Sequence, residues 1–384
     1  MAPALTYRTA GESHGACLVA IVEGLPAGVE LASEPVDALL RLRQTGYGRG
    51  PRMQIESDRV EFLAGLRRGK TIGSPVALRI ANRDATIDER PPITRPRPGH
   101  ADLDGAMKFA TADIQDILER ASARETAARV AAGALAEQLL ALFGIHALGY
   151  VVSVGTVSGL PADASLAHLR GLRDKSALLA VSPEKEARMK AAIDRARKAG
   201  DTIGGLVEVR VVDVPPGLGS HAQWCDRLDG RLAQALMSIP AVKGVEIGLG
   251  FEAARRPGSE VHDEIAYRKA RSTQDRRAGF RRRSNRAGGI EGGISNGEPI
   301  VVRAAVKPIP SLAKPLRSVN LTTKRSVTAA KERADVCVVA PAAVVAESVV
   351  AFEVARAFLE KFGGDSLGEV TRNLKGYLKQ LRSL

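Results

Sequence analysis

The chain has 384 residues, 45% of them hydrophobic and 26% charged, the balance of an ordinary globular protein long enough to bury a large core. A formal net charge of +13 favours anionic partners (nucleic acid, acidic membrane or phosphorylated metabolites) without choosing among them, but 4% aromatics supply poorly the stacking surface that single-stranded nucleic acid uses. Cys17, Cys225 and Cys337 form no CxxC pair or disulfide framework, no apolar run reaches the roughly 18 residues of a membrane span, and Met1 to Arg8 lacks the pattern of a secretory leader. Free, buried thiols in a reducing compartment are expected.

In chain order, 16–23 (ACLVAIVE) reads as a strand following a glycine-bounded turn, and 34–44 as a short helix with Ser33 as N-cap. Short β-like runs follow at 60–64 and 74–81. The proline-rich stretch 82–100 reads as a long loop, a place where function often resides. The clearest helix is 122–143: Ser122 and Glu125 have capping-box spacing before an Ala/Leu-rich run, and Gly144 is placed to end it. A strand is expected at 148–158, and a helix at 182–199 with Ser182 as cap, Pro183 in its first position and Gly200 as its stop. Strands at 205–214 and 298–307 enclose a basic, glycine-rich tract. A helix over 342–362 stops at Gly363 and Gly364, and Ser366 with Glu369 opens a last one. There is no internal repeat and no long linker, so the pattern predicts one compact α+β domain spanning 1–384, its motif-bearing loops meeting at one site.

Six segments carry chemistry, each with a bland alternative. GESHG at 11–15 holds Ser13 and His14 in a turn, either a surface turn or an imidazole at a cleft edge. Arg41 and Arg43 precede GYGRG at 46–50, where glycines let amides approach an anion and arginines offer forked donors; the alternative is a solvated helix end. In RPRPGHAD at 95–102, Asp102 can orient or charge His100, or the prolines merely stiffen a connector. RASARET at 120–126 places Arg120 and Arg124 at an expected helix start, where amides and dipole attract anions; the alternative is helix capping with no ligand. The tract 276–297 is arginine-rich and then glycine-rich (NRAGGIEGGISNG). It lacks a Walker ending and a dinucleotide fingerprint, and can bind nucleic acid, wrap a flat cofactor or be a solvated loop. Finally, Asp335 stands where the charged KERAD meets an apolar stretch, a place where a carboxylate can accept a proton or simply cap a helix.

Taken together and in this order, GESHG, GYGRG, RPGHAD, RASARET, NRAGG, Lys307 with Pro308, and RAD before an apolar helix resemble chorismate synthase, from about residue 6 to 376. The resemblance implies an α/β sandwich with helices between antiparallel sheets, assembled as a homotetramer in the cytoplasm. It implies conversion of 5-enolpyruvylshikimate 3-phosphate to chorismate and phosphate by an anti 1,4-elimination, with reduced FMN that is not consumed overall. Residue by residue, it puts Arg43, Arg49 and Arg124 at anionic groups of the substrate, or of a nicotinamide nucleotide if NADPH is an indirect reductant. It puts Arg120, Ala121, Ser122, Pro240, Ala241, Gly292, Lys307, Pro308, Ile309, Pro310, Ser311 and Arg333 at FMN. His14 would meet the departing phosphate, His100 would protonate the reduced flavin, and Asp335, with Ser13 and Ser122, would relay the proton removed. No metal is implied. Ala121 stands where serine is frequent and Pro240 where an amide is common, and 275–283 looks like a basic insertion, expected as a solvated loop. The rivals are a nucleic-acid binder using the 276–286 arginines and a flavin-dependent redox enzyme that oxidises flavin in proportion to product.

Overall fold

The computed structural model describes residues 5–50, 57–161, 164–269, 275–331 and 335–384; Arg333 lies outside them. Two antiparallel sheets enclose helices. The first contains β1 (Thr6–Ala10), β2 (Cys17–Glu23), β3 (Val60–Ala64) and β4 (Val76–Ala81) in the order β1-β2-β4-β3. Its inner face follows the two-residue period of a strand: Leu18, Ala20 and Val22 of β2 and Val76, Leu78 and Ile80 of β4 are buried. Helix α1 (Ser33–Gln44) runs between β2 and β3 and ends at Arg43 and the GYGRG segment.

Three helices follow: α2 (Asp102–Phe109), α3 (Gln115–Ala121) and α4 (Thr126–Ala141). The second sheet contains β5 (His146–Val154), β6 (Val157–Ser158), β7 (Gly205–Val212), β8 (Val242–Ile247) and β9 (Ile300–Val306), in the order β8-β9-β7-β5-β6. Helices α5 (Leu166–Arg173), α6 (Pro183–Ala199) and α7 (Leu228–Met237) connect its strands, and α8 (Val339–Phe362) and α9 (Leu367–Leu381) finish the chain. Helix α4 packs on the first sheet, α8 packs on the second, and the two helices pack on each other. Both are apolar nearly all round, as helices enclosed on every side must be. The main core runs from Leu5 to Leu374, and a smaller separate cluster gathers Leu148, Tyr150, Val152, Leu169 and Val181. Approach within it is close: a Cβ on Gly133 of α4 would stand 2.5 Å from the Cβ of Ser348, and one on Gly149 of β5 would stand 2.2 Å from the Ala343 carbonyl oxygen.

The sandwich of helices between antiparallel sheets agrees with expectation, and so do most long elements. The differences are local. Ser33 lies inside α1, with Ala32 at the N-cap and no side-chain cap. The helix expected at 122–143 starts at Thr126: Ser122 accepts from the Arg124 amide to cap a single 3₁₀ turn, and Glu125 pairs with Arg129 at 3.0 Å instead of closing a capping box. The Ser366 and Glu369 box is present in full. Strand 148–158 is a hairpin broken at Gly155 and Thr156. Cys225 is exposed and Cys17 half-buried, so of the three thiols Cys337 alone is buried. The basic tract at 275–283 is not a solvated loop. Phe280–Arg282 pairs with Ile265–Tyr267 as a hairpin, and its arginines meet acids: Arg277 with Glu298 at 2.5 Å, Arg281 with Asp275 at 2.6 Å, Arg282 with Glu291 at 2.6 Å and Arg283 with Glu264 at 2.9 Å. Charge spent within the fold is poorly placed to hold a polyanion. Among the described residues no helix is long and apolar enough to cross a membrane.

Candidate active site

Where β1 turns into β2, Ser13 and His14 are folded inward onto α3 and are buried. The Ser13 amide donates to the Glu119 carbonyl at 3.0 Å. The Glu119 carboxylate takes the His14 amide on Oε2 and the His14 ring Nδ1 on Oε1, both at 2.7 Å, and Gln115 donates to Oε1 at 2.8 Å. Burial pushes the Glu119 carboxyl up, but the bonds from His14 and Gln115 outweigh it and hold the group below its ordinary value. On the other side of the ring, Nε2 faces Asp84 at 3.7 Å. Arg90 lies 3.7 Å from Asp84 and 4.0 Å from Glu119. Ser13 and Ser122 share a hydroxyl hydrogen bond of 3.1 Å, which brings the GESHG turn against the junction of α3 and α4. Arg120, at the end of α3 beside Ala121, reaches back to the carbonyls of Gly11 and Thr9 at 2.8 and 3.1 Å.

Asn82 links this group to a second one. Its amide nitrogen donates to the carbonyls of Glu12 and Gly15 at 3.0 and 2.7 Å, and its oxygen accepts from Arg124 Nε at 2.9 Å. Arg124 Nη1 sits 2.7 Å from both oxygens of the buried Asp58. Arg43 lies 3.7 Å from the same carboxylate and donates to Thr126 Oγ1 and the Ala123 carbonyl at 3.0 and 2.8 Å. Burial, countered by Asp58 and reinforced by Arg124 and Arg49, lowers the Arg43 guanidinium to about 10. Arg49 is lowered by burial against the pull of Asp335, whose carboxylate it meets at 3.4 Å; the Gly50 amide donates to Asp335 at 2.6 Å. Buried Arg43 Nη1 and Arg90 Nε have no hydrogen-bond partner among the described residues. Guanidinium nitrogens left without a hydrogen bond are donors that suit an anion.

A third group surrounds His100. The ring Nδ1 bonds to the fully buried Asp102, and Asp102 also takes the Arg97 amide at 3.0 Å and Arg97 Nε at 2.9 Å. Burial raises the Asp102 carboxyl, but hydrogen bonds from His100 and Arg97 leave it far below its ordinary value. Arg97 Nη1 donates to Ser311 Oγ at 2.8 Å, and the Lys307 ammonium donates to the Gly99 carbonyl. The Lys307 amide donates to the Ala241 carbonyl at 2.8 Å, and Ile309 accepts from Thr202 Oγ1 at 2.8 Å. Ala241, after Pro240 in the turn that follows α7, has φ +72°, a strained value for a residue with a Cβ. The segment 307–311, including Pro308 and Pro310, is thus fastened to both the His100 loop and the 240–241 turn. It is tied to Asp335 as well, because Ile203, next to Thr202, donates to the Val336 carbonyl at 3.0 Å.

Three distant loops therefore carry the expected histidines and acid. Gly292 is the exception: it lies on the hairpin Ile290–Glu291 with Ile294–Ser295, which bonds to 217–219 and Leu228. Among the described residues no hydrogen bond joins that hairpin to His14, His100 or Asp335.

A family model for chorismate synthase matches residues 5–359. The chain belongs to the chorismate synthase family. Chorismate synthases of Geobacter sulfurreducens and Geobacter metallireducens are 56% and 57% identical over 391 residues, covering 99% of this chain and 100% of each relative; that of Pelobacter propionicus is 55% identical over 392. A crystal structure of chorismate synthase, 42% identical, superposes with a TM-score of 0.82 over 100% of both chains. Like other chorismate synthases, the chain is a phosphate-eliminating lyase of the shikimate pathway.

Several residues that build this candidate site were missed in the sequence: Glu119, Asp58, Asn82, Arg90 and Arg97. Arg97 lies within the RPRPGHAD segment, five residues from Asp102, and opposite charges flanking a histidine could have flagged it. Glu119 immediately precedes RASARET. Asp58 and Asn82 are lone polar residues whose arginine partner is 66 and 42 positions away, beyond any local spacing rule.

Proposed function

We propose that the enzyme converts 5-enolpyruvylshikimate 3-phosphate to chorismate and phosphate by an anti 1,4-elimination, using reduced FMN without net redox change. The observation that carries this reading is the attachment of the candidate flavin segments to the candidate proton-transfer segments. Ser122 bonds Ser13 beside His14, and Lys307 and Ser311 bond the loop of His100.

The residues present fit the flavin's chemistry. Arg120 and Lys307 offer cations, Ser122 and Ser311 offer hydroxyls, and the strained Ala241 turn is bonded to Lys307. Gly292 and Arg333 complete the proposed contacts by family likeness alone. When bound, reduced flavin supplies an electron-rich ring that lends electron density as a C–O bond breaks and is restored as the ring hydrogen leaves.

The chain's own groups do the rest. Arg43, Arg49 and Arg124 offset the substrate's phosphate and carboxylates, and Arg43 Nη1, 3.7 Å from Asp58 but without a hydrogen bond among the described residues, is a donor that such an anion would satisfy. His14, fixed at Nδ1 by Glu119, offers Nε2 toward the departing phosphate. His100, fixed by Asp102, holds the proton that keeps the flavin in its reactive protonation state. Asp335, held by Gly50 and Arg49, accepts the proton removed, with Ser13 and Ser122 as relay. Each such group is worth on the order of 10²–10⁴-fold in rate.

The reading includes a single catalytic domain over 1–384, consistent with the main core, working as a cytoplasmic homotetramer. Assembly would cover exposed apolar groups such as Phe109, Trp224 and Phe251. Flavin would be reduced from outside the chain, with NADPH as an indirect source. The test is anaerobic mixing of enzyme, reduced FMN and substrate. Phosphate release with the flavin still reduced at the end is expected; flavin oxidation in proportion to product, or no phosphate, refutes it.

A further inference from the structure

We propose that Glu119 is the positioning residue for His14, locking the imidazole so that Nδ1 carries a fixed proton and Nε2 is the nitrogen that exchanges one with the substrate. The inference rests on the reading of His14 as a proton-transfer group and adds the residue through which that role is set.

The geometry is specific. Both carboxylate oxygens are used on one residue: Oε2 on the His14 amide and Oε1 on its ring Nδ1, each at 2.7 Å. An ionised carboxylate only accepts, so the ring nitrogen opposite must donate, and the tautomer follows. Gln115, one turn earlier on α3, donates to the same Oε1 at 2.8 Å and fixes the carboxylate's rotation. Backbone adds a further tie, Ser13 amide to Glu119 carbonyl. Imidazole, carboxylate and turn thus move as one body with α3. The charged groups facing this body are Asp84 on the Nε2 side, Arg90 between the two carboxylates, and Arg120 on the carbonyls of Gly11 and Thr9. Asp84 is 3.7 Å from Nε2, beyond hydrogen-bond length, so Nε2 is the less engaged nitrogen.

A glutamine at 119 has one acceptor oxygen and cannot serve both the amide and Nδ1. Wild type, Glu119→Gln, His14→Ala and the double variant are compared in the anaerobic assay, and the histidine tautomers of the full-length wild-type enzyme are read by 15N NMR. Glu119→Gln is expected to lower kcat on the order of 10²-fold while KM and FMN affinity hold, and to add nothing in the His14→Ala background, since residues acting as a unit are not additive. NMR is expected to find the His14 proton on Nδ1. A normal kcat for Glu119→Gln, a full further loss in the double variant, or a neutral His14 protonated on Nε2 alone overturns the proposal. If His14→Ala is itself fully active, the reading of His14 falls. The NMR result still decides the lock, and does so even if Glu119→Gln fails to fold.

Discussion

Asp58→Asn tests the arginine cluster most directly. Asparagine keeps the shape and removes the one buried anion that Arg124 meets at 2.7 Å through both oxygens and Arg43 at 3.7 Å. Its amide group would then point NH donors at guanidinium donors. Removing one partner of a buried pair costs about 3–5 kcal/mol, because the surviving charge stays out of water. Unfolding entropy on the order of 2 cal/mol/K per residue, over 384 residues, gives about 0.8 kcal/mol/K and a fall in Tm of about 4–6 °C. Arg43, already lowered to about 10 chiefly by burial, would lose the group that counters that burial. Phosphate should recover part of the loss, since a ligand at a hundred times its Kd adds about 2.7 kcal/mol, and should raise the Tm of the variant more than that of wild type. Calorimetry with and without phosphate measures both. A variant that melts within about 1 °C of wild type in phosphate-free buffer would mean that water, not Asp58, balances these arginines, and the anion cradle would lose its physical basis.

His14→Ala should cripple turnover while FMN titration stays close to wild type; a near-normal rate removes its role. Asp335→Asn should likewise abolish most turnover, and an unaffected rate in stopped-flow refutes the relay. Arg49→Glu places a second acid beside Asp335 and should weaken substrate binding by more than tenfold, as about 1.4 kcal/mol suffices for that factor; unchanged affinity in calorimetry counts against the cradle. Asp102, with its carboxyl depressed in the folded enzyme, contributes stability that is full above its unfolded pKa of about 4 and is lost as pH falls toward the depressed native value. Asp102→Asn should therefore flatten the acid limb of a denaturation-versus-pH series, and an unchanged slope would contradict that assignment.

What the sequence made legible follows from the range of the forces involved. Helices α4, α6, α8 and α9 declare themselves through local signals: an Ala/Leu run, Pro183 at a first turn, a paired-glycine stop and the Ser366 box. Helices α2 and α3 were hidden by the prolines before them. Ser122 looked like the start of one helix because it does cap a turn, yet its extended ψ of 140° separates two helices. The histidines and Asp335 stood in recognisable segments. Glu119, which holds His14, and Asp58, which holds Arg124 and Arg43, did not, because a buried charge is stabilised by a partner that only tertiary folding brings near. The 275–283 arginines misled for a related reason: Arg281 meets Asp275 within the segment, but the acids of Arg283, Arg282 and Arg277 lie outside it at 264, 291 and 298.

The tight seating of α8 constrains how the enzyme answers its ligands. Ser348 and Ala343 abut Gly133 and Gly149 with no room for one methyl group, so sliding or turning the helix would force backbone atoms to overlap. The helix pair is therefore stiffly seated, and any adjustment to a ligand falls to segments outside it, such as 46–50 and 95–102, while the 11–15 turn is held on α3.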